Sequence, residues 1–391
     1  MAKAGMIELT RRDQTTHLPM NSTARTPFAQ RLFERQGSIA ELRARLGEDS
    51  FAMSPSHERV LALIEAINLE AFIAPNRGLT GRPPRERHAI ANAFLAKVVL
   101  KLAHTRDLID RLRVDRTLRE MCGFAEHRAL PSEATFSRAF DEFAQSKLAE
   151  TAHAHFVTQI YADHLVGHLS RDGTAIAARE RPAPVAVKAP KLKQKRGHPK
   201  KGELRQRVPT EPSRIERQVT LSLAQIKAEL PTRCDRGSKS NAQGYKNSWN
   251  GYKLHLDTSD SGIPISTLLT SASVHDSQTA IPLSMMSAER VTNLYDVMDA
   301  AYCSTTLRAY SVSLAHVPLI DHNPRGGEKK AFAPHEAERY NIRTSSERVN
   351  ARLKDEFGGN TIFVRGAAKV MSHLMFGVCA LAVDQWLRLL Q

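Results

Sequence analysis

The spacing of apolar residues changes near position 165, and this change restricts the folds that the chain can adopt. Before this point apolar side chains recur three to four residues apart, as in Ile90, Phe94 and Val98, which predicts amphipathic helices. From 165–177 onward, several segments show the period of two that is typical of β-strands. The sequence therefore predicts a mixed α/β (α+β) protein in which an all-α domain precedes a domain with a mixed sheet.

The second half of the chain is predicted to begin with antiparallel strands. The segments 249–256 and 263–269 flank the turn-rich stretch 257–262, which predicts a hairpin. The first strand, 165–177, is interrupted by Asp172-Gly173, and this dipeptide is a common turn signal. Further elements are expected in this order: a helix at 275–287, a strand at 291–298, a helix at 305–314, a strand at 316–320, a helix capped by Ser345 or Ser346, and an apolar helix at 367–390.

Residues 51–160 are predicted to be helical. Short helices precede a longer one that Ser132 can cap, an order that is similar to a helix-turn-helix DNA-binding unit. A plain helical bundle explains the same pattern, and both interpretations stay open. Residues 1–50 are polar and irregular apart from one helix around 29–46. We therefore predict an irregular segment, a helical DNA-binding domain at 51–160, and a mixed-sheet domain at 161–391.

The charge of the chain predicts the type of partner. Lys and Arg total 56 against 41 Asp and Glu, a net charge of +15. This excess favours a polyanion, double-stranded DNA rather than a membrane. The most apolar stretch, 374–383, is ten residues long, whereas a membrane span needs about 20. The N-terminus lacks the apolar core of a signal peptide, and the four cysteines lie far apart, as expected in a reducing cytoplasm.

A basic arm at 181–217 interrupts the mixed-sheet domain. Its segment 188–217 holds eleven Lys or Arg against three Glu, a net +8, with four prolines and no aromatic residue. Such a composition predicts an extended, mobile segment. The string 196–199 is similar to a basic hook that enters the DNA minor groove, and a solvated linker is the alternative. The candidate DNA-binding residues of the arm are Lys193, Lys195, Arg196, Lys200 and Lys201.

Three acids stand out by their positions. Asp172 interrupts the first strand, Asp299 ends a buried strand, and Glu347 lies in the first turn of a helix. Strand ends bring distant segments to one cleft, and magnesium prefers such hard oxygen ligands. Two such ions can clamp the attacking and leaving oxygens of a phosphodiester. Taken singly, these acids are equally explained as a turn residue, a helix cap and an acid that favours the helix dipole.

A motif at 340–354 distinguishes between these readings. Four residues recur at fixed spacing: Tyr340, Arg343, Glu347 and Lys354. This spacing resembles the Y-R-E-K signature of bacterial insertion-sequence DDE transposases. Seven residues are close to two helical turns, so Lys354 lies on nearly the same face as Glu347.

Other strings follow in the order of that family. Residues 170–174 resemble its first-Asp strand, and 299–302 resemble its second-Asp motif, with Ala301 in place of the usual glycine. The strings 251–255, 262–264 and 275–277 are similar to its central hairpin and the helix after it. The helices at roughly 56–150 look like its N-terminal domain. The resemblance therefore extends from about residue 50 to the end.

The resemblance implies an RNase H-like fold and a transposase that cleaves transposon ends and joins them to target DNA. It implies that Asp172, Asp299 and Glu347 form a metal-binding catalytic triad for Mg²⁺, with Mn²⁺ as a substitute. Arg343 and Lys354 then face DNA phosphates, while Tyr340 binds DNA or simply packs. A homodimer or higher oligomer is expected in the synaptic complex, in the bacterial cytoplasm at the nucleoid.

Two other functions and several secondary residues remain open at this stage. A repurposed, inactive DNA-binding protein is one alternative, and a metal-dependent nuclease without strand transfer is the other. Asp276 is interpreted as a helix cap or a residue near the metals. Trp249 is expected either to stack on an extruded base or to pack. His255 and His275 are interpreted as surface or satisfied core residues.

Overall fold

The structure is a computed structural model that describes residues 53–74, 87–125, 129–184, 211–240, 243–324 and 327–390. The predicted segment 1–50, with its helix, lies outside these ranges. The five candidate residues of the basic arm, from Lys193 to Lys201, also lie outside the described residues. Their predicted contacts with DNA stay predictions.

Helices dominate the N-terminal half, and strands and helices alternate afterwards. The first part contains α1 (Pro55–Ile67), α2 (Arg87–Val99), α3 (Thr105–Val114), α4 (Arg116–Met121), α5 (Glu133–Gln145) and α6 (Leu148–Ile160). The strands are β1 (Leu165–Ala177), β2 (Asp235–Ser240), β3 (Lys246–Ser259), β4 (Pro264–Ser271), β5 (Thr292–Met298) and β6 (Val317–Ile320). The remaining helices are α7 (Arg214–Gln218), α8 (Leu223–Glu229), α9 (Ala280–Ala288), α10 (Thr305–Ser313), α11 (Pro334–Tyr340), α12 (Thr344–Asp355) and α13 (Ala367–Leu389).

The six strands form one mixed sheet in the order β2-β3-β1-β5-β6, with β4 also paired to β3. The strand β3 is antiparallel to both β1 and β4, while β5 runs parallel to β1 and β6 runs parallel to β5. An antiparallel meander followed by two parallel strands is the RNase H-like arrangement. The predicted mixed α/β class and RNase H-like fold are therefore confirmed.

The strand β1 passes through Asp172-Gly173 without a break, so the predicted interruption is wrong. Asp172 pairs with Leu256, and Gly173 pairs with His255. A Cβ atom on Gly173 would lie 2.9 Å from both His255 Nδ1 and Asp276 Oδ1. The glycine is present because two side chains approach the strand there, and not because the chain turns.

The apolar helix α13 is the centre of the larger hydrophobic core. It packs against α1, α2, α5 and α6, and the cluster continues onto β1, β3, β4 and α12. Gly377 permits a close approach, because a Cβ there would lie 2.4 Å from the carbonyl oxygen of Phe357. By length and composition α13 passes as a membrane span, but 67% of its most apolar window is buried inside the protein. That burial identifies it as a core helix.

A second, smaller core covers the opposite face of the sheet. It joins α8, α9 and α10 to β5 and β6 through apolar side chains that include Ile226, Ile281 and Ile320. The sheet is therefore enclosed between two helical layers, as its β-branched and apolar strands require. The N-terminal helices share the larger core with α13, so the predicted boundary at 160/161 does not separate two hydrophobic cores.

Several arginines on α3 are engaged in ion pairs within the helical region. The pairs are Arg106–Glu133 (3.3 Å), Arg111–Asp115 (2.9 Å) and Arg113–Asp110 (2.6 Å). The Arg106 and Arg113 pairs are largely exposed, so each contributes about 0–1 kcal/mol and can exchange for a phosphate. Asp115 is only 10% exposed and also binds His57 at 2.9 Å. The helix-turn-helix interpretation of this region stays a prediction.

Candidate active site

Asp172 and Asp299 lie side by side at one edge of the sheet. Asp172 is on β1, and Asp299 directly follows β5. The two strands are parallel, with Arg171 opposite Met298, so the next residue on each strand is a neighbour on the same face. The carboxyl ends of parallel strands are where clefts form in α/β sheets. The structure thus brings two of the three predicted acids together.

The electrostatics of this pair favour a cation. Burial and the charge of Asp299 raise the pKa of Asp172 to about 6. Burial and the charge of Asp276 also raise the pKa of Asp299 above its ordinary value. Like charges in a desolvated site disfavour each other's ionised form, and a bound divalent cation reverses that effect. Asp299 also accepts a 2.9 Å hydrogen bond from the amide of Ala301, so its predicted capping role is compatible with the site.

The helix α12 is anchored to β1 by polar contacts on one face. The Ser170 hydroxyl donates to the Ser346 hydroxyl at 3.0 Å, and Ser346 in turn donates to the Arg343 carbonyl at 2.9 Å. Asn350 Nδ2 donates to Asp172 Oδ2 at 2.9 Å. The prediction that Ser345 or Ser346 caps this helix is wrong, because both are buried inside its first turn. Their small size lets the helix approach the strand.

Glu347 lies on the same face of α12 as Asn350, but its carboxylate does not share a metal site with the two aspartates in the described structure. It precedes Asn350 by three residues, about 4.5 Å along the helix axis. Its side chain is 52% exposed, and Arg343 Nη2 donates to its Oε1 at 2.6 Å. Among the described residues no three His, Cys, Asp or Glu side chains are close enough to share one metal ion. In the described structure the third acid is therefore paired with Arg343 and does not share a metal site with the two aspartates.

The two other residues of the motif at 340–354 lie near this cleft. Lys354 is half-buried, and burial together with Lys239 lowers its pKa, while Asp172 opposes the shift. Tyr340 packs on Phe332 with ring centroids 4.7 Å apart, and the Arg343 guanidinium lies 6.0 Å from its ring. Burial raises the pKa of Tyr340 to about 12, so the phenol stays protonated at neutral pH. The packing interpretation of Tyr340 is thus observed, and a DNA contact stays a prediction.

Asp276 belongs to the site and does not cap its helix. His275 occupies the capping position of the 3₁₀ helix Asp276–Thr279. Asp276 Oδ1 instead accepts a 2.9 Å bond from Lys253 Nζ and lies 3.7 Å from His255 Nδ1. His255 is fully buried, and burial lowers its pKa to about 4, so the ring is neutral.

Two residues beside the acids were missed from the sequence. Asn350 could have been found, because it is one helical turn from Glu347 on the same face. Lys239 on β2 carries no local signal, since strand pairing brings it within electrostatic reach of Asp172 and Asp299.

Trp249 packs over Gly237, where a Cβ would lie 2.5 Å from the indole, so its packing interpretation is observed.

The donor chemistry of the site fits a divalent magnesium ion. Asp172 and Asp299 supply hard carboxylate oxygens, while Asp276 is paired with Lys253 and Glu347 with Arg343. His255 bonds Thr270 through Nε2 at 2.9 Å, and its neutral Nδ1 faces Asp276 at 3.7 Å. The residues present therefore suit an oxygen-coordinated ion better than zinc.

Two family models match the chain. A model described as a transposase DDE domain matches residues 206–383, and one described as a transposase domain matches 48–142. Together they extend over most of the chain and lie in the order of its two regions. The chain belongs to the insertion-sequence DDE transposases. No curated protein and no solved structure matches it.

Membership of the DDE transposases makes the chain an enzyme that acts on DNA with divalent metal ions. The DDE match includes Asp299, Glu347 and Lys354 but begins after Asp172. The position of Asp172 beside Asp299 therefore comes from the geometry of the sheet, and its role in the transposase is a proposal.

Proposed function

We propose that this transposase binds the ends of its insertion sequence, cleaves them in a Mg²⁺-dependent reaction and joins them to target DNA. The observation that carries the proposal is the neighbouring pair Asp172 and Asp299, which lies where the parallel pairing of β1 with β5 ends and is tied through Asn350 to the helix that bears Glu347. A metal-dependent nuclease and an inactive DNA-binding protein are the alternatives. The intact acids speak against the inactive form.

The chain's own residues would divide the work as follows. Asp172 and Asp299 hold the divalent ion, and Asn350 fixes the orientation of the Asp172 carboxylate. Magnesium, when bound, supplies the Lewis acidity that phosphodiester displacement needs. A DNA phosphate can replace the Glu347 carboxylate on the Arg343 guanidinium. Glu347 would then be released to complete the set of ligands around the ion. The same exchange releases an acid and captures the substrate.

The cations around the cleft would hold the DNA backbone. Arg343 offers a bidentate guanidinium, and Lys354 and Lys239 offer single ammonium groups near the two aspartates. Transposon ends and target DNA are the proposed partners, and two ends require a homodimer or higher oligomer. The helical region at 51–160 and the basic arm would add further contacts with DNA. We expect the protein to act at the bacterial nucleoid, in the cytoplasm.

Cleavage is expected to require Mg²⁺ or Mn²⁺ and to stop in excess chelator without loss of folded structure, because the acids are positioned by the sheet before any metal binds. A plasmid carrying the element's ends, found from inverted repeats in the flanking genomic DNA, is the substrate. Cut products and joined products are scored on gels, and circular dichroism monitors folding. Undiminished cleavage in chelator contradicts metal dependence, and cut DNA without joined products favours the nuclease.

A variant of the basic arm with five cations changed to Gln is expected to bind DNA more weakly and with a smaller salt dependence. The changed residues are Lys193, Lys195, Arg196, Lys200 and Lys201. Each phosphate contact contributes about −0.9 to the slope of log affinity against log salt. The slope should therefore become shallower by about 4–5 if all five contact phosphates, and by about 2 if half do. Titrations at several salt concentrations measure it.

Random-sequence DNA is the matched substrate for this experiment. Equal losses on element ends and random DNA indicate phosphate contacts, whereas a larger loss on AT-rich sites indicates insertion into the minor groove. A slope identical to that of the unaltered protein means that the arm is a solvated linker.

A further inference from the structure

A cavity of about 450 Å³ lies between the N-terminal helices and the start of α13. This volume is within the range of small-molecule sites. The cavity is lined by α2, α3 and α5, by the loop after α12, and by residues such as Lys369 and His373 on α13. None of the three proposed catalytic acids lines it, so the proposed function leaves it unexplained.

The floor of the cavity is aromatic. Phe94, Phe140 and Phe376 meet there, with ring centroids 4.9 to 6.1 Å apart. Phe363 forms one wall and presents its edge, because Arg179 covers one face at 4.2 Å and the His104 ring lies 4.3 Å away. A flat aromatic ligand fits such a floor, since offset and edge-to-face ring contacts are favourable.

The rim of the cavity is cationic. Arg365 is exposed and makes no ion pair with any residue that the structure describes, and Lys369 is paired with Asp141 at 3.1 Å. Glu133 is the one acid of the lining in the described chain, and Arg106 neutralises it at 3.3 Å. The cavity therefore combines an aromatic, apolar floor with excess positive charge.

Lys97 is the unusual member of this lining. It is 9% exposed, and its ammonium donates one hydrogen bond, to the Ala103 carbonyl at 2.9 Å. An ammonium has three donors, and a buried charge without full compensation is costly. Burial lowers the pKa of Lys97 to about 8, although Asp107 partly offsets the effect. An anion bound in the cavity would restore the missing compensation.

We propose that this cavity binds one nucleotide, with its base on the phenylalanine floor and its phosphate between Lys97, Lys369 and Arg365. The nucleotide is either part of a DNA strand or free in solution. If it is part of a DNA strand, the inference rests on the proposed action of this protein on DNA. Arg179 lies seven residues beyond Asp172, roughly 20 Å along and past β1. At 3.4 Å per nucleotide this is about six nucleotides, so a strand can extend from the acids to the cavity.

Filling the cavity is the direct test. Ser137 is exposed and lines it, so Ser137→Trp blocks the space without removing a core side chain, and Ser137→Ala is the matched control. Two probes are used in chelator: oligo(dT)₂₀ and an abasic sugar-phosphate 20-mer of equal charge. The unaltered protein should bind the base-containing strand roughly 5- to 150-fold more tightly. Ser137→Trp should remove this preference, and Ser137→Ala should keep it.

The source of the nucleotide is decided by a second titration, with thymidine 5′-monophosphate. If thymidine 5′-monophosphate binds and Ser137→Trp abolishes this binding, the cavity takes a free nucleotide. If only oligo(dT)₂₀ shows the base preference, the cavity takes a nucleotide of a DNA strand. A circular dichroism spectrum like that of the unaltered protein shows that the variant is folded. Because no cleavage occurs in chelator, either result is independent of the proposed transposition chemistry. If Ser137→Trp retains the full base preference, or the unaltered protein shows none with either probe, the inference is overturned.

Arg365→Gln gives an independent reading should the tryptophan variant fail to fold. Its side chain is exposed, and its removal should make the salt slope for oligo(dT)₂₀ shallower by about 0.7. Arg388→Gln is the control, since it lies at the far end of α13, nineteen residues or about 28 Å from Lys369. Equal slopes in the two variants contradict a phosphate at Arg365.

Discussion

Asp172→Asn, Asp299→Asn and Glu347→Gln are each expected to reduce DNA cleavage by about 10³-fold or more, while DNA binding remains near that of the unaltered protein. Metal ligation needs anionic oxygens, and each substitution removes a charge while keeping the shape of the side chain. Binding depends instead on many cations spread over the chain, which carries +15. Single-turnover cleavage and a binding titration in chelator measure the two effects separately.

Glu356→Gln is the matched control for Glu347→Gln. Both carboxylates lie at α12 and pair with an arginine four residues earlier, Glu347 with Arg343 and Glu356 with Arg352. Glu356 is at the other end of the helix, where Arg352 also pairs with Asp384 at α13. Its substitution should leave cleavage intact. Cleavage at the unaltered rate by any one of the three active-site variants removes that residue from the triad.

Arg171→Met is expected to lower the free energy of unfolding by about 3–5 kcal/mol. Arg171 is 2% exposed and binds Asp257 with two bonds of 2.7 Å across β1 and β3, and Ser287 donates to the same carboxylate. Burial alone lowers the pKa of Arg171, but the carboxylate of Asp257 outweighs it, and the net pKa is raised. Removing the guanidinium leaves a buried, uncompensated carboxylate, which urea denaturation should detect.

The double variant Arg171→Met/Asp257→Asn separates pairing from packing. It removes both charges, so most of the lost stability should return. Arg388→Gln breaks a 2.9 Å pair between the exposed Arg388 and Asp384, which keeps Arg59 and Arg352 as partners, and should cost at most about 1 kcal/mol. If the double variant is as unstable as Arg171→Met, the loss comes from packing beside Asp172 and the charge argument is wrong.

The periodicity of the sequence was sufficient to predict most elements of the fold. The hairpin came out longer than predicted, at Lys246–Ser259 and Pro264–Ser271, because strand pairing extends beyond the strictly alternating residues. The helix predicted at 367–390 is observed almost unchanged as α13. Its role as the shared core of both regions could not be read from its own residues, since apolarity does not specify the partner.

The candidate site divides in a similar way. The motif spacing placed Glu347 and Lys354 on one helical face, and that face does contact β1. Asp276 was interpreted as a cap or a residue near the metals, because a polar residue before a helix is usually a cap. Its contact with Lys253 depends on a strand that is distant in sequence. Gly173 was likewise interpreted as part of a turn, because a turn signal is read from neighbouring residues only. It gives no information on a side chain that approaches from another element.

The sequence by itself determined the mixed α/β class, the order of helices and strands and the family resemblance, and it predicted the three acids, because periodicity and motif spacing are local properties of the chain. Only the tertiary structure decided that Asp172 and Asp299 are neighbours and that Asn350 links Asp172 to α12. Strand register and helix docking set these distances, and both arise from packing between segments that lie more than a hundred residues apart.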